Sequence, residues 1–261
     1  MSDAFISLDE LEWQTVKIHR QGETRNYDYQ LELFKPLADW DVWAVWERER
    51  IASMQKHIKQ GDVLIDVGAE QGWMSALFSK YMTENIILVE PTAEFWPGIR
   101  AIFEKNGLEK PVTCFQGFLS NETCLHGRYD FQVPYEWELI AYDSKVIEKR
   151  KYRNVFDSDD QDTIRSVRLD EAHYLPVGIE KANHISIDVE GAELQVLLGA
   201  EQTLRKHKPL VWCSVHPDMM ERDYKQTKED LLFFMDDCGY DGELLTVDHE
   251  EHWFFTPKET T

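Results

Sequence analysis

Five short apolar runs punctuate this chain, and the segments between them decide what it can fold into. VLIDVG (63–68), NIILVEP (85–91), PVTCFQGF (111–118), HISIDVEG (184–191) and PLVWCSV (209–215) are each too short for a helix. The first and second are almost unbroken in apolar residues, whereas a strand wet on one face alternates, and in the fourth His184, Ile185, Ser186 and Ile187 alternate around buried positions. Between the runs stand segments that read as helices, WMSALFSKYM, EFWPGIRAIFEKNG and AELQVLLGAEQTLRKH. Strand and helix alternating over 60–217 predict an α/β fold, a doubly wound (Rossmann-like) parallel sheet covered on both faces.

The flanks are less regular. TVKIHR and YDYQLELF read as short strands, with NYDY marking a turn region. Val42, Val45, Trp46, Ile51, Met54 and Ile58 predict a helix over 41–57 that Gly61 ends. KQTKEDLLFFMDDCGY reads as a helix closed by Gly239, and ELLTVDHEEHWFFTP as a terminal hairpin. The chain thus divides into an N-terminal extension, 1–45, and a main domain, 46–261. An aromatic, charged insertion at about 121–165 interrupts the rhythm and is expected to cover an acceptor site.

Charge narrows the partners. Lys and Arg number 28 against 49 Asp and Glu, a formal balance of −21, and the densest basic stretches (148–153 and 205–208) are short. A phosphate backbone would be repelled over most of such a surface, which argues against nucleic acid. The plain account of the acidity is solubility. No apolar run is long enough to span a membrane and no secretory pattern opens the chain. Cys114, Cys124, Cys213 and Cys238 lack CxxC spacing and read as unpaired thiols. The expectation is a soluble, cytoplasmic protein.

Two strand ends carry the chemistry. In IDVGAEQG, Asp66, Gly68 and Gly72 surround a strand-to-helix turn where glycine lets the backbone approach a ligand closely. The spacing is not G-x-G-x-x-G, and Glu70 at the helix mouth would repel a pyrophosphate, which weakens a dinucleotide reading. Glu90 follows 24 positions after Asp66, at the end of the next strand, where an acid can accept both hydroxyls of a ribose. A cationic nucleoside such as S-adenosylmethionine suits this acidic turn. At the other edge, HISIDVEGAE gathers Asp188, Glu190 and Glu193 where a strand gives way to a helix. Were strand 63–67 central, 184–189 would be its neighbour across the switch point, aiming Asp188 and Glu190 at the bound nucleoside. His216 ends the next strand. Glu193, one turn further on, reads as charge matching at a helix N-terminus.

IDVGAEQG, LVEP, the Asn of EKNG and, above all, IDVEGAELQVLLGAEQTLRKHKP together resemble the FkbM-type, class I S-adenosylmethionine-dependent methyltransferases. The resemblance covers about 60–217 and implies a seven-stranded, mostly parallel sheet with a C-terminal antiparallel hairpin. It also implies methyl transfer to a hydroxyl oxygen. By position, Asp66, Gly68 and Gly72, with Glu70 in the same turn, would meet the methionine part of the cofactor and Glu90 the ribose. Gly117 and Phe118, within FQGFLSN, would lie near adenine, and Asp188 and Glu190 would form the site floor. Three positions depart from the family: Glu70 replaces a usual Asn, Ser186 a common Lys and Ser214 a common acid.

Hydroxyl methylation requires a proton acceptor, and two mechanisms stand open. His216 has the most suitable ordinary pKa for a base. Alternatively Asp188 and Glu190 hold a divalent ion such as Mg²⁺, which acidifies a coordinated hydroxyl. The expected acceptor is a sugar or other small hydroxylated metabolite. Methylation of a peptide or amine is the alternative, although no N/D-P-P-Y element marks nucleobase amine chemistry. A non-catalytic binding protein on the same scaffold is a third reading.

Overall fold

The computed structural model describes residues 11–18, 29–35, 37–40, 42–43, 46–92, 95–115, 117–125, 165–174 and 182–259. Most of the insertion expected over 121–165, and the NYDY turn before Tyr29, lie outside them.

The described residues begin with an antiparallel pair, β1 (Trp13–Ile18) and β2 (Tyr29–Phe34), followed by α1 (Arg48–His57). Then come β3 (Val63–Val67), α2 (Trp73–Tyr81), β4 (Asn85–Val89), α3 (Trp96–Lys105) and β5 (Thr113–Phe115). Three short strands, β6 (Phe118–Leu119), β7 (Cys124–Leu125) and β8 (Arg165–Val167), form a small sheet of their own. β9 (His184–Asp188), α4 (Glu193–Gly199), α5 (Glu201–His207), β10 (Leu210–Val215), α6 (Lys228–Asp237), β11 (Tyr240–Val247) and β12 (Glu251–Pro257) complete the fold.

The main sheet has seven strands in the order β11-β12-β10-β9-β3-β4-β5. β9 lies parallel to both β3 and β10, while β12 runs antiparallel to β10 and β11. Strand order therefore reverses between β3 and β9, and that crevice is where an open α/β sheet receives its ligand. The seven-stranded, mostly parallel sheet with its closing hairpin is as the resemblance implied.

Both faces are buried, which explains the unbroken apolar runs. Successive residues serve opposite cores: Leu64, Ile86, Leu88 and Trp212 pack with α1, α2, α3 and the β1–β2 pair. Ile65, Val67, Ile87, Val89, Ile185, Ile187, Val211 and Val215 pack with α4, α5 and α6. The same period of two turns the exceptions toward α1: Asp66, Ser186 and Ser214 alternate with residues of the second core, and Asp66 pairs with Ser186 across the sheet.

Local structure departs from the sequence expectation in three places. The helix predicted over 41–57 begins only at Arg48, because Glu47 adopts a left-handed φ of 60° and its N–H donates to Asp248 Oδ2. The run PVTCFQGF splits, with Phe118 leaving the main sheet to pair with Ser166 in the small one. The helix predicted from Ala192 to His207 breaks at Ala200. There Asp170 accepts the N–H groups of Gln202 and Thr203, capping a second helix from outside it.

Candidate active site

The first strand end closes on itself through backbone contacts. Gly68 has φ +85°, and a methyl group there would lie 1.8 Å from the carbonyl oxygen of Asp188. Only glycine lets the β3–α2 turn press this closely on β9. Gly72 has φ +76°, and Ile99 fills the space a side chain would need. Glu70 takes φ 46°, the left-handed conformation that Asn adopts more readily, so the chain keeps the turn and bears the cost in a non-glycine residue. Its N–H donates to Glu90 Oε2 at 2.8 Å, and the Thr92 N–H donates to Glu90 Oε1 at 2.6 Å. Glu90 is buried, and loss of water raises its pKa to about 7 despite these donors. The adjoining Gln71 is fully buried with neither amide atom partnered.

Asp66 does not line the turn openly. It is buried, accepts the Ser75 hydroxyl, and burial raises its pKa against the opposing pull of Ser75, Arg50 and Ser186. Gly117 and Phe118 follow Phe115, whose carbonyl accepts the Glu90 N–H at 3.1 Å, so that segment stands beside the Glu90 end of the crevice. The Asn of EKNG, Asn106, serves the fold: its amide bonds both the N–H and the carbonyl of Glu32 in β2.

At the second strand end the structure gathers charges that the sequence does not place together. Arg50, buried on α1, donates to Ser186 Oγ and Ser214 Oγ at 2.8 Å each, to Glu47 Oε2 at 3.0 Å and to Asp188 Oδ2 at 3.3 Å. The two serines thus serve one cation. A cation supplied by a helix occupies the space between the strands, and small hydroxyls in β9 and β10 make room for it and accept its hydrogen bonds. Helix spacing alone could not reveal this, because Arg50 reads as an ordinary polar position on α1.

His216 is equally committed. Its Nδ1 lies 2.8 Å from Glu193 Oε1, and its Nε2 lies 2.5 Å from Glu250 Oε2, 3.6 Å from Glu190 Oε2 and 4.0 Å from Asp188 Oδ1. Burial lowers its pKa, but Glu193, Glu250 and Asp188 outweigh that and raise it to about 11. A ring with that pKa holds its proton at neutral pH, and both nitrogens face carboxylates. Glu193, read as helix charge matching, is fully buried and also accepts the Gly191 N–H. Glu250 is held down to about 2: burial pushes it up, and the His216 bond and charge prevail.

Asp188 is the partly open carboxylate of the group, its side chain 30% exposed beside Arg50. Desolvation and the Glu250 charge raise its pKa well above the ordinary carboxylate range. Glu190 stands outermost, with a 70% exposed side chain and a left-handed φ of 54°. Asp188, Glu190 and His216 bring one ligand atom each within 4.8 Å of one another. Arg50 already places a positive charge 3.3 Å from Asp188. His184 lies elsewhere, bonded to Asp62 at the opposite end of β9.

The FkbM methyltransferase domain matches residues 66–241, from the Asp66 turn to the start of the last hairpin. The chain belongs to the FkbM methyltransferase family. No curated protein matches it in sequence. Among solved structures, the FkbM methyltransferase of Methylobacillus flagellatus is 18% identical with a TM-score of 0.47, over 75% of this chain and 43% of that one. The chain therefore spans less than half the length of that relative. An rRNA methylase from Streptococcus thermophilus is 7% identical with a TM-score of 0.49, over 81% of this chain and 96% of that one. A precorrin-6y C5,15-methyltransferase from Geobacter metallireducens is 14% identical with a TM-score of 0.46, over 81% and 88%. At such identities these likenesses say nothing of acceptor. Among the described residues of this FkbM chain, no helix is long and apolar enough to cross a membrane.

Proposed function

We propose that this protein transfers a methyl group from S-adenosylmethionine to a hydroxyl oxygen of a sugar or other small hydroxylated metabolite. One observation carries the reading: β3 and β9 adjoin at the switch point, with a glycine-tight turn, a buried acid at Glu90 and a partly open acid at Asp188 around the crevice. The donor set fits the cofactor, since Glu90 can accept a ribose diol and Gln71 brings an unpartnered buried amide into the turn. S-Adenosylmethionine supplies an electrophilic methyl group and its own leaving group. The chain must then hold the acceptor in line and take its proton.

Asp188 takes that proton in our account. Its raised pKa makes it a stronger base than an ordinary carboxylate, and its side chain reaches solvent where His216 does not offer a lone pair. Arg50 holds Asp188 in place, and the His216 imidazolium steadies the charge around it. Arg50 and His216 place positive charge where Mg²⁺ at Asp188 and Glu190 would act. The test is release of S-adenosylhomocysteine across an acceptor panel beginning with sugars. Asp188→Asn should cut turnover by roughly 10²-fold or more while cofactor affinity stays within a few-fold. Wild-type turnover in that variant with a hydroxyl acceptor would remove Asp188 from the mechanism.

A second reading, methylation of an amine, draws on the same acidic mouth, where Asp188, Glu190, Glu250 and Glu47 would attract an ammonium. A neutral amine needs no strong base, so its methylation would survive Asp188→Asn. The two readings part on that variant.

A further inference from the structure

The turn of the last hairpin and the start of β12 carry Asp248, His249, Glu250, Glu251 and His252 in succession, read from sequence only as a hairpin. Asp248 Oδ1 lies 2.8 Å from His249 Nδ1 and 2.9 Å from His252 Nε2, and one ligand atom from each of the three falls within 4.8 Å of the others. We propose that these three side chains bind a divalent transition-metal ion, of the Zn²⁺ or Co²⁺ class, distinct from any Mg²⁺ site at Asp188 and Glu190. Two imidazoles and one carboxylate are the donors such ions prefer over Mg²⁺, and three protein ligands leave a coordination position open.

The surroundings are arranged as an outer shell. Each histidine turns its remaining ring nitrogen toward a partner: His252 Nδ1 lies 3.1 Å from Ser214 Oγ and 3.6 Å from Glu250 Oε1, and His249 Nε2 lies 3.6 Å from Glu250 Oε2. A ligating histidine commonly gives its second N–H to a carboxylate or hydroxyl, which fixes the tautomer that leaves the other nitrogen free to coordinate. Glu250 backs the cluster from behind: its side chain is 3% exposed, and its Oε1 faces His252 Nδ1, the ring nitrogen turned away from the ion. Trp46 stacks on His249 with ring centroids 4.0 Å apart, and the Glu47 N–H donates to Asp248 Oδ2, so the chain entering α1 braces both ligands. His252 is completely buried.

Position gives the ion a use. Glu250 joins His249 to His216, which lies beside Asp188, so the hairpin ion sits one carboxylate away from the proposed methyl-transfer centre. An open coordination position there would take an oxygen of the acceptor. Binding of the ion itself does not depend on the methyl-transfer reading.

The experiment is titration of chelator-treated full-length protein with ZnCl₂ by calorimetry and with CoCl₂ by visible absorption, MgCl₂ serving as the comparison ion. The expected result is one Zn²⁺ or Co²⁺ per chain, with cobalt d–d bands reporting nitrogen ligation and Mg²⁺ at least a hundredfold weaker. His249→Gln, on the more exposed ligand, should weaken Zn²⁺ at least tenfold and lose the bands. His252→Gln should do the same, provided circular dichroism shows it folded. Absence of stoichiometric Zn²⁺ binding, or Zn²⁺ binding unchanged in a folded His249→Gln protein, would overturn the proposal. Equal Mg²⁺ and Zn²⁺ affinities would also overturn it, since carboxylates alone would then be the ligands. None of these readouts requires turnover, so failure of the catalytic reading would leave them intact.

Discussion

At the residue scale, the second strand end shows what charges do when the fold rather than the sequence makes them neighbours. His216 sits between Glu193 and Glu250, and its pKa of about 11 stands above the ordinary 6.5. The folded state therefore binds this proton more tightly than the unfolded chain does. The resulting stability is complete below pH 6.5 and is lost as pH rises toward 11. Glu250 works in the opposite sense: its pKa near 2 against an ordinary 4.5 gives stability present above 4.5 and lost as pH falls toward 2. His216→Gln should lower stability by roughly 3–5 kcal/mol at neutral pH, because it leaves Glu193 and Glu250 buried without their cation. The gap between wild-type and variant melting temperatures should then shrink from pH 7 to pH 10. A gap that stays constant across that range would show that His216 is not held as the imidazolium. The acids Asp188, Glu190 and Glu193 were legible as a group from the sequence. Their counter-ions were not, since Arg50 and Glu250 are 138 and 62 residues from Asp188 and no local pattern links them.

At the scale of elements, the decisive contact is the β3–α2 turn against the end of β9. Short buried strands and the helices between them follow from apolar runs and from Gly68, Gly72 and Gly239. Helix boundaries followed less well, because distant groups set them: Asp248 receives the N–H that precedes α1, and Asp170 caps α5 from across the fold. Gly68→Ala should reveal how much the turn contact contributes. Positive φ in a non-glycine residue costs about 1–3 kcal/mol where the surroundings enforce it, and the added methyl would also meet the Asp188 carbonyl at 1.8 Å. The urea midpoint of this variant should fall accordingly. An unchanged midpoint would mean that the strand ends separate freely and that the crevice is not held by this contact.

At the scale of the molecule, the five parallel strands and the closing hairpin place every proposed functional group along one edge of the sheet. Sequence reading reached that edge because parallel strands end where ligands bind, and acids at strand ends stand out against apolar runs. It did not reach the hairpin's part in the site, since β12 comes last in the chain yet lies beside β10. The remaining segment over 126–164 lies outside the described residues, and with it the cover expected over the acceptor. What the edge must do first is hold the cofactor, and Glu90 is the residue on which that rests. Calorimetric titration of S-adenosylmethionine into wild-type protein and into Glu90→Ala, with matched thermal melts, is the direct test. The account predicts binding to wild type and at least tenfold weaker binding to a folded Glu90→Ala protein. Equal affinity in the two would contradict the placement of the ribose at Glu90, and no binding to wild type would contradict the cofactor reading itself.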